Sequence, residues 1–181
     1  LGRTPAASLK NVFTNIREIR PDALLSVPTI AKNLRKNIEN GINKKGPFTA
    51  KMFKIGLKSA YAYNGDGSDR GKGIRKLHWP MYKLVDLLVF SKIRDNFGGK
   101  LRYFVGGGAL LDIDLQRFFY AIGLPMYQGY GLSEASPVIA SNTIRNHKMG
   151  SSGKVVPDLE VMICDEDGNA LPQGQKGEIA V

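Results

Sequence analysis

Two glycine-rich turns carry the residue types best suited to chemistry in this chain: Gly106-Gly107-Gly108-Ala109-Leu110 and Gly129-Tyr130-Gly131-Leu132-Ser133-Glu134. Glycine offers bare backbone for the close approach of an anion. The Tyr130 ring can cover a nucleobase, the Ser133 hydroxyl can donate to a phosphate, and Glu134 can hold Mg²⁺, a cation that takes oxygen ligands. The set suits a phosphorylated, metal-bound ligand. Gly106 to Gly108 alone would equally make a tight strand-to-helix turn, and Glu134 alone would equally suit a helix start beside the positive end of its dipole. Two such turns at consecutive strand ends are more specific than either one. They are neither a Walker phosphate loop nor a dinucleotide fingerprint, because no Gly-Lys-Ser/Thr follows and the glycine spacing differs. A hydrolase reading lacks Gly-x-Ser-x-Gly around Ser133. His78 and His147 have no ligand partners at metal spacing and read as surface or loop residues. Cys164 reads as an inert core residue, and Trp79 as packing.

The flanking elements place both turns. Leu101 to Val105 is an apolar run entering the first turn, and Leu124 to Gln128 is another entering the second. Between them, Asp112 or Asp114 caps a helix bearing Leu115, Phe118, Phe119 and Ile122, closed by Gly123. Strand, helix and strand at this spacing form a βαβ unit with parallel strands. Ligands in such sheets bind beyond the carboxyl ends of the strands, so the two turns are expected side by side. Upstream, Ser8 caps a helix carrying Leu9, Val12, Phe13 and Ile16, which ends before Pro21. Ala23 to Val27 is a further strand, and Pro28 opens a helix with Ile30, Leu34, Ile38 and Ile42 on one face. Pro47 to Tyr63 reads as a helix, Asn64 to Gly73 as a mobile linker, and about Pro80 to Asn96 as a helix apolar almost all round and therefore largely buried. After Gly153 the pattern turns to short strands, Glu160 to Cys164 and Gly177 to Val181, joined by turn chemistry at Asp165 to Asn169. The expected class is α/β: a parallel sheet with flanking helices over residues 1–152, then the start of a small antiparallel β subdomain over residues 153–181.

Composition narrows the partners. A chain of 181 residues with 43% hydrophobic residues can bury a core. No apolar run approaches the ~20 residues of a membrane span, and residues 1–20 do not read as a signal peptide. One cysteine excludes an internal disulfide and suits a reducing, cytoplasmic compartment. The formal charge of +10 favours anionic partners, although a solvated surface accounts for most of it. The basic residues are scattered and no nucleic-acid-binding motif accompanies them, so nucleic acid is not expected.

Gln128-Gly129-Tyr130-Gly131-Leu132-Ser133-Glu134-Ala135-Ser136-Pro137-Val138-Ile139 closely resembles the hallmark segment of the adenylate-forming enzymes, in the form used by long-chain fatty acid–CoA ligases. Leu25 to Pro28, Leu88 to Arg94, Gly107 to Leu110, Phe118-Phe119 and Gly153-Lys154-Val155 through Gly177-Glu178-Ile179 fit the same family in the same order. The resemblance implies ATP, Mg²⁺ and CoA. A fatty acid carboxylate attacks the α-phosphate, and CoA thiol then displaces AMP. It also implies roles. Gly108, Ala109 and Leu110 line the adenine and acyl pocket. Gln128, Gly129, Tyr130 and Gly131 border the adenine, Ser133 bonds the α-phosphate, and Glu134 ligates Mg²⁺. Ser133 stands where the family usually has Thr, Gly106 where it has Ser, and Leu110 where it has Pro. The family's phosphate loop is expected before residue 1, and its ribose-binding aspartate, hinge and catalytic lysine beyond Val181, so the 181 residues alone are expected to be inactive. Two alternatives stay open: an adenylating ligase for another carboxylic acid, and a non-catalytic nucleotide-binding module. Peripheral association with a membrane is compatible with the charge, and the sequence leaves the oligomeric state undetermined.

Overall fold

The computed structural model describes residues 12–135 and 137–181. The expected cap Ser8 and Leu9 lie outside them. Helix α1 (Val12–Ile19) ends where Arg20 takes a positive φ of 51° and its N–H donates to Ile16 O at 2.9 Å. Pro21 then bars any continuation. Strand β1 (Ala23–Ser26) leads to α2 (Pro28–Lys44), whose buried residues Ala31, Leu34, Ile38 and Ile42 keep the 3.6-residue period. Helix α3 (Pro47–Asn64) follows, again opened by proline.

Two expectations are corrected next. The glycine-rich stretch after α3 is folded rather than a loose linker. The Asp66 carboxylate accepts from Ser68 N–H and Oγ–H, Gly71 N–H donates to Tyr63 O, and Asp69 holds Arg75 at 2.7 Å. Local side-chain bonds of this kind offset the entropy its glycines lose. The following helical run is neither uniform nor largely buried. A 3₁₀ segment (Gly73–His78), α4 (Trp79–Val85), a π turn (Asp86–Phe90) and α5 (Ser91–Asp95) succeed one another. Only one side packs, through Tyr82, Val85, Val89, Phe90 and Ile93, while Met81, Leu84, Leu87 and Leu88 are exposed. Trp79, expected to pack, is half exposed. The packed side meets α3 at Gly56, where a Cβ would lie 2.2 Å from Val85 Cγ1. The π turn also lets Asp86 receive Arg94 at 2.5 and 3.2 Å, and Arg94 reaches on to Ile122 O at 2.8 Å.

Strand β2 (Tyr103–Gly106), helix α6 (Ile113–Ala121) and strand β3 (Met126–Tyr130) complete the βαβ unit. Asp112, not Asp114, caps α6; its carboxylate accepts from the N–H groups of Asp114 and Leu115 at 2.8 and 3.2 Å. The sheet runs β1-β2-β3-β4-β5, with β1, β2 and β3 parallel and in the register Ser26↔Gly106↔Gln128. Strands β4 (Ala140–Ser141) and β5 (Lys154–Val155) add on antiparallel. Residues 154 and 155 thus still belong to the main sheet. The separate two-stranded sheet is β6 (Met162–Cys164) with β7 (Glu178–Ala180). The core lies between the parallel strands and the helices, built on Phe53, Phe90, Phe97, Phe104, Phe118 and Phe119 in edge-to-face pairs.

Candidate functional site

The carboxyl ends of β1, β2 and β3 open on one groove of about 540 Å³. Strand register decides this. Ser26, Gly106 and Gln128 stand in a row, so the residues after each emerge at the same edge. From the first turn Gly106, Gly107 and Gly108 line the groove; from the second Gly129, Tyr130, Gly131 and Ser133 do. The two turns expected to be neighbours are neighbours.

Glycine is required here for two different reasons. Gly108 takes a φ of 78°, the left-handed region that a side chain disfavours. At Gly131 a Cβ would come within 1.8 Å of Pro137 O, because the chain folds back over the turn, and Ile139 N–H then donates to Tyr130 O at 2.9 Å. Gly107 needs glycine for neither reason: a Cβ there would meet nothing within 4 Å of its own chain. A bare backbone lining a groove, with no internal demand for it, is what a close-approaching ligand uses.

The remaining site residues separate. Ser133 and Glu134 begin a 3₁₀ turn (Ser133–Ala135) and are exposed, Ser133 on the groove wall and Glu134 outside it. Ala109 and Leu110 are exposed beyond the groove lining, Leu110 at 79%. Gln128 departs from its expected place at an adenine rim. It is buried, and its Oε1 accepts from Leu111 N–H at 3.0 Å beside Gln116 Nε2 at 3.5 Å. It ties the first turn to β3 instead of facing the groove. Asn142 gives β3 a second anchor that the sequence did not disclose. Its N–H and Nδ2 donate to Gln128 O, Nδ2 also reaches Ser151 O at 2.6 Å, and its Oδ1 accepts from Lys148 N–H.

The β1 end is a third wall, from Leu25, Ser26, Val27 and Ile30. Nothing in its residue types marks it for chemistry, although a strand end in a parallel sheet is itself a signal. Among the described residues no three His, Cys, Asp or Glu side chains gather at metal-binding distance. A lone exposed carboxylate such as Glu134 suits Mg²⁺, which is held by one or two carboxylates together with substrate phosphates and water. Away from the groove, His147 lies in a loop, one of the two places expected for it, but with its ring turned inward. Its ring lies 4.9 Å from Tyr120 and 5.0 Å from Tyr127, with neither nitrogen hydrogen-bonded. Burial lowers its pKa and pushes that of Tyr127 up to about 12.

The fold is one found in solved acid–CoA ligases. The chain superposes on the anthranilate CoA ligase AuaEII, solved with anthranoyl-AMP, with a TM-score of 0.57 at 19% identity over 99% of this chain and 25% of that one. More particularly, the family model described as AMP-binding enzyme matches residues 2–181, and the chain belongs to that family. Among curated relatives, the long-chain-fatty-acid–[acyl-carrier-protein] ligase AEE15 of Arabidopsis thaliana is 39% identical over 96% of this chain and 27% of its own length. The long-chain-fatty-acid–CoA ligase FadD15 of Mycobacterium bovis is 32% identical over 93% and 27%. The chain thus spans about a quarter of the length of these relatives.

Proposed function

We propose that this chain forms part of the adenylation site of an ATP-dependent, AMP-forming ligase that joins long-chain fatty acids to the thiol of CoA. The observation that carries the reading is the convergence of Gly107, Gly108, Tyr130 and Ser133 on one groove at the strand ends. The long-chain substrate is supported by the names of the relatives. In the first half-reaction the fatty acid carboxylate oxygen bonds to the α-phosphorus of ATP and pyrophosphate leaves with the electron pair of the broken P–O bond. In the second, the CoA thiol bonds to the acyl carbon, losing its proton, and AMP departs. Tyr130 covers the adenine face, the bare backbone of Gly107 and Gly108 admits the nucleotide, and Ser133 Oγ–H donates to an α-phosphate oxygen. Donation at the place where charge grows in the transition state lowers the barrier more than it tightens binding. Glu134 is the residue that would hold Mg²⁺, whose charge would offset that of the phosphates.

Fatty-acid-dependent ATP–pyrophosphate exchange by the full-length protein, across a panel of long-chain, short-chain and aromatic acids, tests this. Palmitate should support exchange and benzoate should not. Ser133→Ala should lower the rate about 10²-fold, and Glu134→Ala should abolish exchange with the fold intact by circular dichroism. Near-normal exchange in Glu134→Ala would sink the metal assignment, and preference for an aromatic acid would sink the substrate assignment.

A further inference from the structure

Gln116 is buried in α6 at 1% exposure, in a helix whose other buried residues include Leu115, Phe118 and Phe119. A buried amide costs free energy unless it is hydrogen-bonded, and an apolar residue would avoid that cost. Here the amide is bonded at both ends. Its Nε2–H donates to Leu111 O at 2.9 Å, and its Oε1 accepts from Gly150 N–H at 3.2 Å. The backward reach follows from helix geometry. Asp112 caps α6, and Gln116 stands in the first turn. Cα–Cβ bonds tilt towards a helix N-terminus, which here means towards the residue that ends the first glycine turn.

Two glutamines therefore hold the Leu111 peptide groups. The Leu111 N–H donates to Gln128 Oε1 at 3.0 Å, and its C=O accepts from Gln116. At the other end of the turn, Gly106 is paired in register with Ser26 and Gln128. Between these posts, among the described residues, Gly107 to Leu110 make no hydrogen bond to another backbone group. A stretch that begins with two glycines and lacks bonds of its own takes its position from its ends. Gly150 extends the tie. Its neighbours Lys148 and Ser151 hold Asn142, and Asn142 holds Gln128 O. The first turn, α6, β3 and the loop at Lys148 to Ser151 thus form one hydrogen-bonded circuit. From α6, Gln116 reaches the other three, with Gln128 Oε1 at 3.5 Å, yet it does not line the groove. A buried network with its members bonded holds one arrangement.

We infer that Gln116 is a positioning residue of the groove: its amide fixes the first glycine turn against the second and so sets the fit of the nucleotide. The consequence for the nucleotide rests on the ligase reading above; the fixing of the turn does not.

ATP–pyrophosphate exchange by the full-length protein with palmitate, together with amide hydrogen exchange, tests it. Gln116→Met keeps the length and bulk of the side chain and removes both bonds. It should lower kcat/KM for ATP about tenfold. Gln116→Asn keeps an amide but is one methylene too short to reach Leu111 O, and should lose as much. Gln128→Met should act alike, and the Gln116→Met/Gln128→Met variant should lose little more than either single one, because both act through Leu111. Leu115→Ala, a core truncation in the same helix turn, should lower the melting temperature at least as far while keeping, well below melting, an exchange rate within about twofold of wild type. The Leu111 N–H, which Gln116 does not touch, should exchange its hydrogen about tenfold faster in Gln116→Met. Wild-type kinetics in both Gln116 variants, an equal kinetic loss in Leu115→Ala, or an unchanged rate at the Leu111 N–H would each overturn the inference. A wild type that exchanges pyrophosphate with none of the acids would instead overturn the ligase reading. Faster hydrogen exchange at Leu111 would then still support the positioning of the turn, and an unchanged rate would overturn that as well.

Discussion

The His147 ring is the residue whose environment departs furthest from its sequence context. It lies in a polar stretch, Thr143 to Lys148, yet sits between Tyr120 and Tyr127 with both nitrogens buried and unbonded. Desolvation lowers its pKa, and the Asp66 charge opposes that only partly. The folded state therefore holds the ring neutral where an unfolded chain would protonate it. Stability from this group is fully present above the unfolded value of 6.5 and is lost as pH falls below it toward the lowered folded value. Asp66 and Asp165, both held below the ordinary 3.8 by hydrogen bonds, act only at lower pH. The urea midpoint of the wild type should thus fall between pH 7.5 and pH 5, and His147→Phe should flatten that fall. An equal fall in the variant would show that another group is responsible. Sequence offered no route to this environment: burial of a histidine depends on which distant tyrosines reach it. Gln128 and Asn142 teach the same lesson, because their partners lie on other elements.

At the scale of elements, periodicity and punctuation decide the structure where local forces dominate. The proline-initiated helices α2 and α3, an aspartate cap at 112 or 114 and the parallel pairing of the strands around α6 all follow from short-range rules, and the structure selects Asp112. The run from Pro80 to Asn96 buries one side where its composition predicts more, because an apolar sequence does not state how many of its sides find a neighbour. One side found α3, through a contact that depends on Gly56. Gly56→Ala would place a methyl group 2.2 Å from Val85 Cγ1. Overpacking of this kind costs about 1–3 kcal/mol, more than the ~0.5–1 kcal/mol that alanine gains over glycine in a helix. Urea unfolding should show net destabilisation, partly relieved in Gly56→Ala/Val85→Ala because the two positions are coupled. A more stable Gly56→Ala chain would mean that the helices separate without cost.

At the scale of the whole molecule, stability is unevenly spread. The phenylalanine core binds α2, α3, α5, α6 and the parallel strands into one body. The β6–β7 pair has two strands of three residues, with Met162, Ile163 and Ile179 each at least a third exposed. Two-stranded sheets of this size are marginal by themselves. Amide hydrogen exchange should therefore be faster at Met162 and Cys164 than at Phe104 and Met126, by an opening that leaves the core protected. Equal protection would mean that residues 153–181 open only with the rest, against the subdomain proposed from their strand-rich pattern.

Sequence alone determined the α/β class, the two glycine turns at successive strand ends and the family resemblance borne out by the match over residues 2–181. These depend on local propensity, on the period of apolar residues and on residue order, all of which are written along the chain. Tertiary structure decided what depends on contacts between distant segments. It placed Gly107, Gly108, Tyr130 and Ser133 on one groove, added the β1 end as its third wall and turned Gln128 inward. It also left one apolar side of α4 and its neighbours facing outward. Each outcome was fixed by strand register or by the finite number of faces a core can cover, and neither quantity is a property of any single segment.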